Sequence, residues 1–378
     1  MGSENVIVIN GQDFVFTPGE TILQVARRNS INIPTLCFLK GTTPTGACRI
    51  CIVEVEGSGN LVASCVTPAV PKMIVRTETP HVIEARRLNI ELLLASGQHN
   101  CLVQDADADS WTDFQLRAME AGEHKNLCPA YGDCRLQDLA VRYQVKTSRF
   151  SPTQPPYPVE NTNPFIVRDF SRCILCGRCV QACNEIQVNN AISFGYRGSA
   201  SKIVAKGDRF LKDSDCVFCG ECVQACPVGA LTSKEDLQLD STQTEVKKTR
   251  TTCSYCGVGC QIYLHVMHKR VIKVTGVENV GPNYGSLCVK GRYGNEFIHD
   301  PDRLKTPLIR ENGGFREASW DEALHLVAER LNFIKEQSGP DSIGILTSAR
   351  ITNEENYLAQ KFARAAIGTN NIDHCARL

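Results

Sequence analysis

"CILCGRCVQAC" at residues 173–183 and "CVFCGECVQAC" at residues 216–226 are two copies of one pattern, C-x2-C-x2-C-x3-C. A C-x2-C pair turns both thiolates toward one metal centre, whereas a disulfide framework needs no such spacing. Repetition of the whole run marks an internal duplication. The second copy continues into Pro227 and the first into Asn184. Whatever these residues hold, the fold around them is built from short metal-bound loops.

Working outward, the chain has 378 residues and 20 cysteines. Length suggests two to four domains. Lys plus Arg equals Asp plus Glu, 41 against 41, which disfavours a nucleic-acid binder relying on bulk positive charge. No apolar run approaches the roughly 20 residues that span a bilayer, and "MGSENVIVIN" lacks the basic and apolar regions of a secretory leader. Clustered cysteines without an export signal predict metal ligands in a reducing, cytoplasmic setting.

Upstream, "NVIVINGQDFVF" places two β-rich runs around Asn10-Gly11, a hairpin signal, and "GETILQVARRNSI" reads as a short helix. A small α+β domain is expected over 1–80. Its cysteines, Cys37, Cys48, Cys51 and Cys65, are spaced C-x10-C-x2-C-x13-C, with Gly41 and Gly46 freeing the loop. Four thiolates so arranged suit a [2Fe–2S] cluster; a zinc site or buried free thiols are the alternatives. Residues 81–147 read as helical, with "HVIEARRLNIELLLASG" stopping at Gly97. They carry His99, Cys101, Cys128 and Cys134, and also His124. Five prolines make 148–164 a linker. The duplicated runs occupy a domain over 165–240.

Farther on, Cys253, Cys256, Cys260 and Cys288 are spaced C-x2-C-x3-C-x27-C. In "SWDEALHLVAERLNFIKEQSG", Ser319 and Glu322 predict a capping box, and Ala323, Leu324, Val327, Leu331 and Ile334 share one helical face. "DSIGILTS" reads as a buried strand and "NEENYLAQKFARAAIG" as a helix ended by Gly368. "NNIDHCARL" reads as a turn into a strand. Alternation of this kind suggests the opening of an α/β domain.

The duplicated runs resemble two-cluster bacterial ferredoxins, in which the fourth cysteine of each run ligates the other run's cluster. The resemblance groups Cys173, Cys176, Cys179 and Cys226 around one [4Fe–4S] centre, and Cys183, Cys216, Cys219 and Cys222 around another. "LCPAYGDCRLQDLA" resembles the cluster loop of the large iron–sulfur subunit of NADH dehydrogenase and related hydrogenases, which uses H-x3-C-x2-C-x5-C. This implies a [4Fe–4S] centre held by His99, Cys101, Cys128 and Cys134. His99 stands two residues before Cys101 instead of four, and about 26 residues are inserted between Cys101 and Cys128, so His124, four before Cys128, is a rival ligand.

"CSYCGVGC", "LCVKGRYG", "WDEAL" and "GTNNIDHCARL" resemble the molybdopterin oxidoreductases, and formate dehydrogenases in particular, over residues 250–378. The resemblance implies a [4Fe–4S] domain over 250–305, the start of a molybdopterin-binding domain over 306–378, and Lys290 between cluster and pterin. It places the metal ligand, cysteine or selenocysteine, just after Leu378, so the chain is expected to stop at a recoded codon or an arbitrary boundary, and by itself to carry electrons without oxidising formate.

Altogether the resemblances imply an α+β multidomain chain: a β-grasp [2Fe–2S] ferredoxin domain, a helical His/Cys cluster domain, a two-cluster ferredoxin domain and an incomplete α/β domain. They imply one [2Fe–2S] and four [4Fe–4S] clusters, a Mo or W bis-molybdopterin guanine dinucleotide, formate or CO2 as substrate, and a flavin- and NAD(P)-binding diaphorase subunit or a hydrogenase subunit as electron partner. A non-catalytic electron carrier, an NADH dehydrogenase large subunit and an iron-only hydrogenase are the competing readings. Cys375 is the one cysteine outside the five sets.

Overall fold

A computed structural model describes residues 5–97, 99, 130, 134–145, 149–150, 157–235 and 246–375. Cys101, His124 and Cys128 lie outside the described residues. The chain divides into two compact units, Met1–Gln243 and Thr244–Leu378.

The first unit begins with β1 (Val6–Ile9) and β2 (Gln12–Val15), joined through Asn10 and Gly11 at φ 52° and 83°. Both angles are left-handed, as a tight hairpin turn requires. Helix α1 (Ile22–Arg28) starts at a reciprocal capping box between Thr21 and Gln24. Strands β3 (Ile52–Val55), β4 (Val62–Ala63) and β5 (Ile74–Arg76) complete a sheet in the order β2-β1-β5-β3-β4. Pairing is antiparallel except between β1 and β5. Ile7, Ile9, Val53 and Val75 face α1's Ile22, Leu23, Val25 and Ala26 in one core, which also contains Cys51 and Cys65.

Helix α2 (Pro80–Leu94) is capped by Thr79, with proline in its first turn. Its buried face is Val82, Arg86 and Ile90, four residues apart. Arg86 is fully buried and donates to Glu78 Oε1 at 2.8 Å, the Tyr143 hydroxyl at 2.8 Å and the Ile52 carbonyl at 2.7 Å. It thereby ties the sheet to α2 and to α3 (Arg135–Arg142). The α2 helix ends at Leu94, earlier than the expected stop at Gly97. Gly97 serves a close approach instead: a Cβ there would stand 2.1 Å from the Ser171 carbonyl oxygen.

The duplicated region contains β6 (Ile166–Arg168), α4 (Arg178–Gln181), β7 (Ile192–Gly195), β8 (Lys202–Ala205), α5 (Glu221–Ala225) and β9 (Leu231–Ser233). β6 pairs with β9, and β7 with β8, both antiparallel. The second half of the proline-rich stretch packs here. Glu160 bridges to Arg168 in a buried ion pair, and its other oxygen accepts from the Leu211 N–H at 2.8 Å. The runs end differently. With Asn184 the chain continues α4 into a π-turn over Ala182–Ile186, whereas before Pro227 α5 stops at Ala225.

In the second unit, β10 (Lys247–Thr252), β11 (Gln261–Met267) and β12 (Arg270–Gly276) form an antiparallel sheet, followed by α6 (Val289–Tyr293). After the hairpin β13 (Leu308–Glu311) and β14 (Gly314–Glu317) come α7 (Trp320–Ser338), β15 (Ile345–Ser348), α8 (Asn353–Lys361) and β16 (Ile372–Cys375). β15 and β16 pair in parallel. Three expectations change here. Only half of the capping box forms: Ser319 accepts from the Glu322 N–H, but the Glu322 carboxylate pairs with Arg316. The apolar face of α7 is not covered, Leu324 and Val327 being exposed. β15 is not a buried strand either, for Leu346 is 88% exposed; a two-stranded sheet leaves its faces open. Among the described residues no helix is long and apolar enough to cross a membrane.

Candidate iron–sulfur centres

In the first group, Gly41 and Gly46 take φ 82° and 64°, letting the loop after Cys37 fold back on itself. The Cys37 N–H donates to Cys48 Sγ at 3.4 Å, and the thiols of Cys48 and Cys65 hydrogen-bond to Cys37. Those bonds, the one from Cys48 first, draw Cys37 down to about 2, and Cys48 and Cys65 rise in response. Cys51 is drawn down to about 6 by the Cys65 thiol. Four thiols packed this closely share protons. Four thiolates in the same space would repel, so the donor set suits a compact cationic core.

The duplicated runs build the same backbone twice. Leu175 and Phe218 take φ 51° and 52°, and Gly177 and Gly220 take φ 79° and 78°. Left-handed backbone at a non-glycine residue costs energy; here it turns N–H groups onto sulfur. The Leu175 N–H donates to Cys173 and that of Phe218 to Cys216 at 3.4 Å, and the Arg178 N–H donates to Cys176. Successive N–H groups pointing inward form an anion-binding nest. Sequence reasoning missed these donors, although the glycine after each second cysteine marks the turn that aims them.

Cys226 lies beside Cys173 and Cys176, although more than forty positions separate it from them in the chain. Cys183 lies beside Cys216 and Cys222. Cys173, Cys176, Cys179 and Cys226 all line one apolar cavity. Burial pushes Cys173 up to about 11 and Cys176 up to about 12, and raises Cys179 and Cys222. Buried thiolates need positive charge beside them; ferric and ferrous ions bridged by sulfide would supply it. Among the described residues, no three His, Cys, Asp or Glu donors close in tightly enough for a single metal ion.

Of the second group, Cys134 is buried. His99 is half-buried, and its Nε2 is buried with no hydrogen-bond partner among the described residues. Burial first, then Arg172, draws His99 down to about 4. A neutral imidazole with an orphaned nitrogen has the chemistry of a metal ligand. Cys37, Cys134 and Cys176 share a single apolar core, with Cys48, Cys173 and Cys226 packed against it. Three cysteine groups distant in the chain thus meet in one low-dielectric region.

In the second unit, burial raises Cys253, and Cys288 and Cys256 lie close to it; Cys260 stands near all three. The Cys253 N–H donates to the Cys260 carbonyl at 2.8 Å, closing the loop, and Cys253 Sγ accepts from the Tyr255 N–H. Gly291 lies against this group: a Cβ there would stand 3.6 Å from Cys253 Sγ, at ordinary contact distance. Lys290 is exposed on α6, two residues after Cys288. Cys375 is exposed in β16.

Residues 5–80 match the family profile described as a 2Fe-2S iron-sulfur cluster binding domain, and residues 172–230 a 4Fe-4S dicluster domain. Residues 246–300 match the molybdopterin oxidoreductase Fe4S4 domain, and 303–378 the molybdopterin oxidoreductase profile. Residues 246–378 are thus similar, through both profiles, to molybdopterin oxidoreductases. The whole chain is 30% identical to a Bacillus subtilis (strain 168) protein named "Probable oxidoreductase YjgC", of which it covers 40%. Over 98% of its length it is 32% identical to "Putative formate dehydrogenase YrhE" of the same strain, covering 39% of that protein. It therefore spans about two fifths of the length of these curated relatives. Among solved structures, an NAD+-reducing [NiFe]-hydrogenase in the H2-reduced state matches 62% of this chain and 88% of its own at 31% identity, with TM-score 0.52.

Proposed function

We propose that this chain is the iron–sulfur electron-transfer part of a formate dehydrogenase catalytic subunit. The observation that carries the reading is the shared core in which Cys37, Cys134 and Cys176 meet, upstream of a molybdopterin oxidoreductase segment. The modules would be a β-grasp [2Fe–2S] domain over 1–80, a His/Cys cluster domain over 81–147, a two-cluster domain over 165–240, and the [4Fe–4S] and pterin-binding segments over 250–305 and 306–378. Cys37, Cys48, Cys51 and Cys65 would hold the [2Fe–2S] cluster. The four [4Fe–4S] clusters would be held by His99, Cys101, Cys128 and Cys134; by Cys173, Cys176, Cys179 and Cys226; by Cys183, Cys216, Cys219 and Cys222; and by Cys253, Cys256, Cys260 and Cys288.

In a protein of the relatives' length, a Mo or W bis-molybdopterin guanine dinucleotide would take two electrons from formate, with CO2 and a proton released. The residues described here would then pass the electrons on singly. Backbone N–H groups stabilise the anionic sulfurs, and the apolar core keeps water from the clusters. Lys290 would stand on the path between the Cys288 cluster and the pterin. The likeness to an NAD+-reducing hydrogenase supports a flavin- and NAD(P)-binding or hydrogenase partner at the [2Fe–2S] end. Anaerobically prepared protein should contain about 18 irons per chain, the sum over one two-iron and four four-iron clusters. Iron near 10, or zinc in matching amount, would remove at least two of the assigned clusters.

A further inference from the structure

Arg178 follows Gly177 at the start of α4 and is 4% exposed. Its Nη1 donates to the carbonyl of Phe38, the residue after Cys37, at 3.2 Å. Its Nε is buried with no hydrogen-bond partner among the described residues. The charged groups acting on it most strongly are Arg135 and the thiols of Cys176, Cys226 and Cys37; no carboxylate is among them. The same helical face holds the loop again through Gln181, whose amide donates to the Thr43 carbonyl, and Glu185, whose carboxylate accepts from the Thr43 N–H at 2.7 Å.

An arginine remains charged in proteins, and a buried cation without an anion beside it is costly. The anions available here are the centres themselves. In each, thiolates and sulfides outweigh the iron charge, and each one-electron reduction adds one more negative charge. A fixed cation between two such centres favours the reduced form of both. We propose that Arg178 is a positioning residue shared by the centre of Cys37, Cys48, Cys51 and Cys65 and the centre of Cys173, Cys176, Cys179 and Cys226, raising both reduction potentials together. This rests on the assignment of those two cysteine sets to clusters.

The test is EPR-monitored redox titration of anaerobically prepared wild-type, R178Q, R178K and Q181L proteins, with iron measured on each sample. R178Q is expected to make reduction of both centres about tenfold less favourable, a fall of about 59 mV for a one-electron couple, with the other centres unmoved. R178K keeps the charge but not the planar fork, and is expected to shift both the same way by less. Q181L breaks a neutral contact between the same helix and loop and should leave both potentials in place. Unshifted potentials in R178Q with both clusters loaded would overturn the inference, as would a shift of one centre alone or an equal shift in Q181L. Should R178Q fail to load, R178K with both potentials at the wild-type value would overturn it. Wild-type protein without the [2Fe–2S] signal would overturn the cluster assignment beneath it.

Discussion

Replacing Gly97 with alanine tests how closely two cluster loops are packed. An added Cβ would stand 2.1 Å from the carbonyl oxygen of Ser171 and 3.6 Å from His99 Nε2. Ordinary contact begins near 3.4 Å, so the two backbones must part by about 1.3 Å. Ser171 cannot easily yield. Its N–H donates to Asp169 Oδ1 at 3.0 Å, and Arg172 Nε donates to Asp169 Oδ2 at 2.9 Å. Overpacking of this kind costs about 1–3 kcal/mol, and a backbone obstacle places the cost toward the upper end. His99 lies two residues after Gly97 and Cys173 two after Ser171, so the strain falls on those two centres. Opening there should become about 5- to 150-fold more favourable, and iron should reach a chelator correspondingly faster. The assay is the rate of iron release from anaerobic protein, with EPR of the remaining clusters. The [4Fe–4S] signals should decay early while the [2Fe–2S] signal persists. Gly59→Ala is the control, since its Cβ would meet nothing within 4 Å. A Gly97→Ala protein with the wild-type iron content, spectra and release rate would refute the reasoning.

His99→Ala should remove or alter one [4Fe–4S] EPR signal and spare the [2Fe–2S] signal; the same effect from His124→Ala, with His99→Ala silent, would transfer the ligand role. Glu160→Gln leaves Arg168 charged and unpaired in a buried site, for a loss of about 3–5 kcal/mol, read as faster hydrogen exchange in β6 and β9; unchanged exchange would mean that water or another group compensates the arginine. Thr21→Ala removes the side-chain acceptor for Gln24 at the start of α1. It should destabilise that helix by about 0.5–2 kcal/mol, seen as loss of exchange protection in residues 22–28 with the sheet amides little changed.

Much of the architecture is local and therefore legible in the residues. Asn10-Gly11 can take left-handed backbone, so the hairpin forms there. Gly368 ends the last helical stretch with φ 92°. Other features depend on who the neighbours are. Glu322 has the right spacing for a reciprocal cap, but Arg316, brought round by the β13–β14 hairpin, competes for its carboxylate. The stripe on α7 is apolar at helical period, yet periodicity says only that a face is suited to burial, not what lies against it. Gly97 resembles a helix stop because both roles want a residue without a Cβ.

Features that span a few residues follow from the residues themselves: the C-x2-C spacing that aims two thiols alike, the glycines that permit left-handed turns beside them, and the threonine caps that start α1 and α2. Those depend on backbone geometry and short-range hydrogen bonds. It takes the tertiary structure to bring Cys37, Cys134 and Cys176 into one core, to face a buried arginine on α4 toward both Cys37 and Cys226, and to bury the Nε2 of His99 without a hydrogen-bond partner among the described residues. The physical reason is that desolvation and charge proximity depend on distance in space. Distance along the chain carries that information only where the chain is locally rigid.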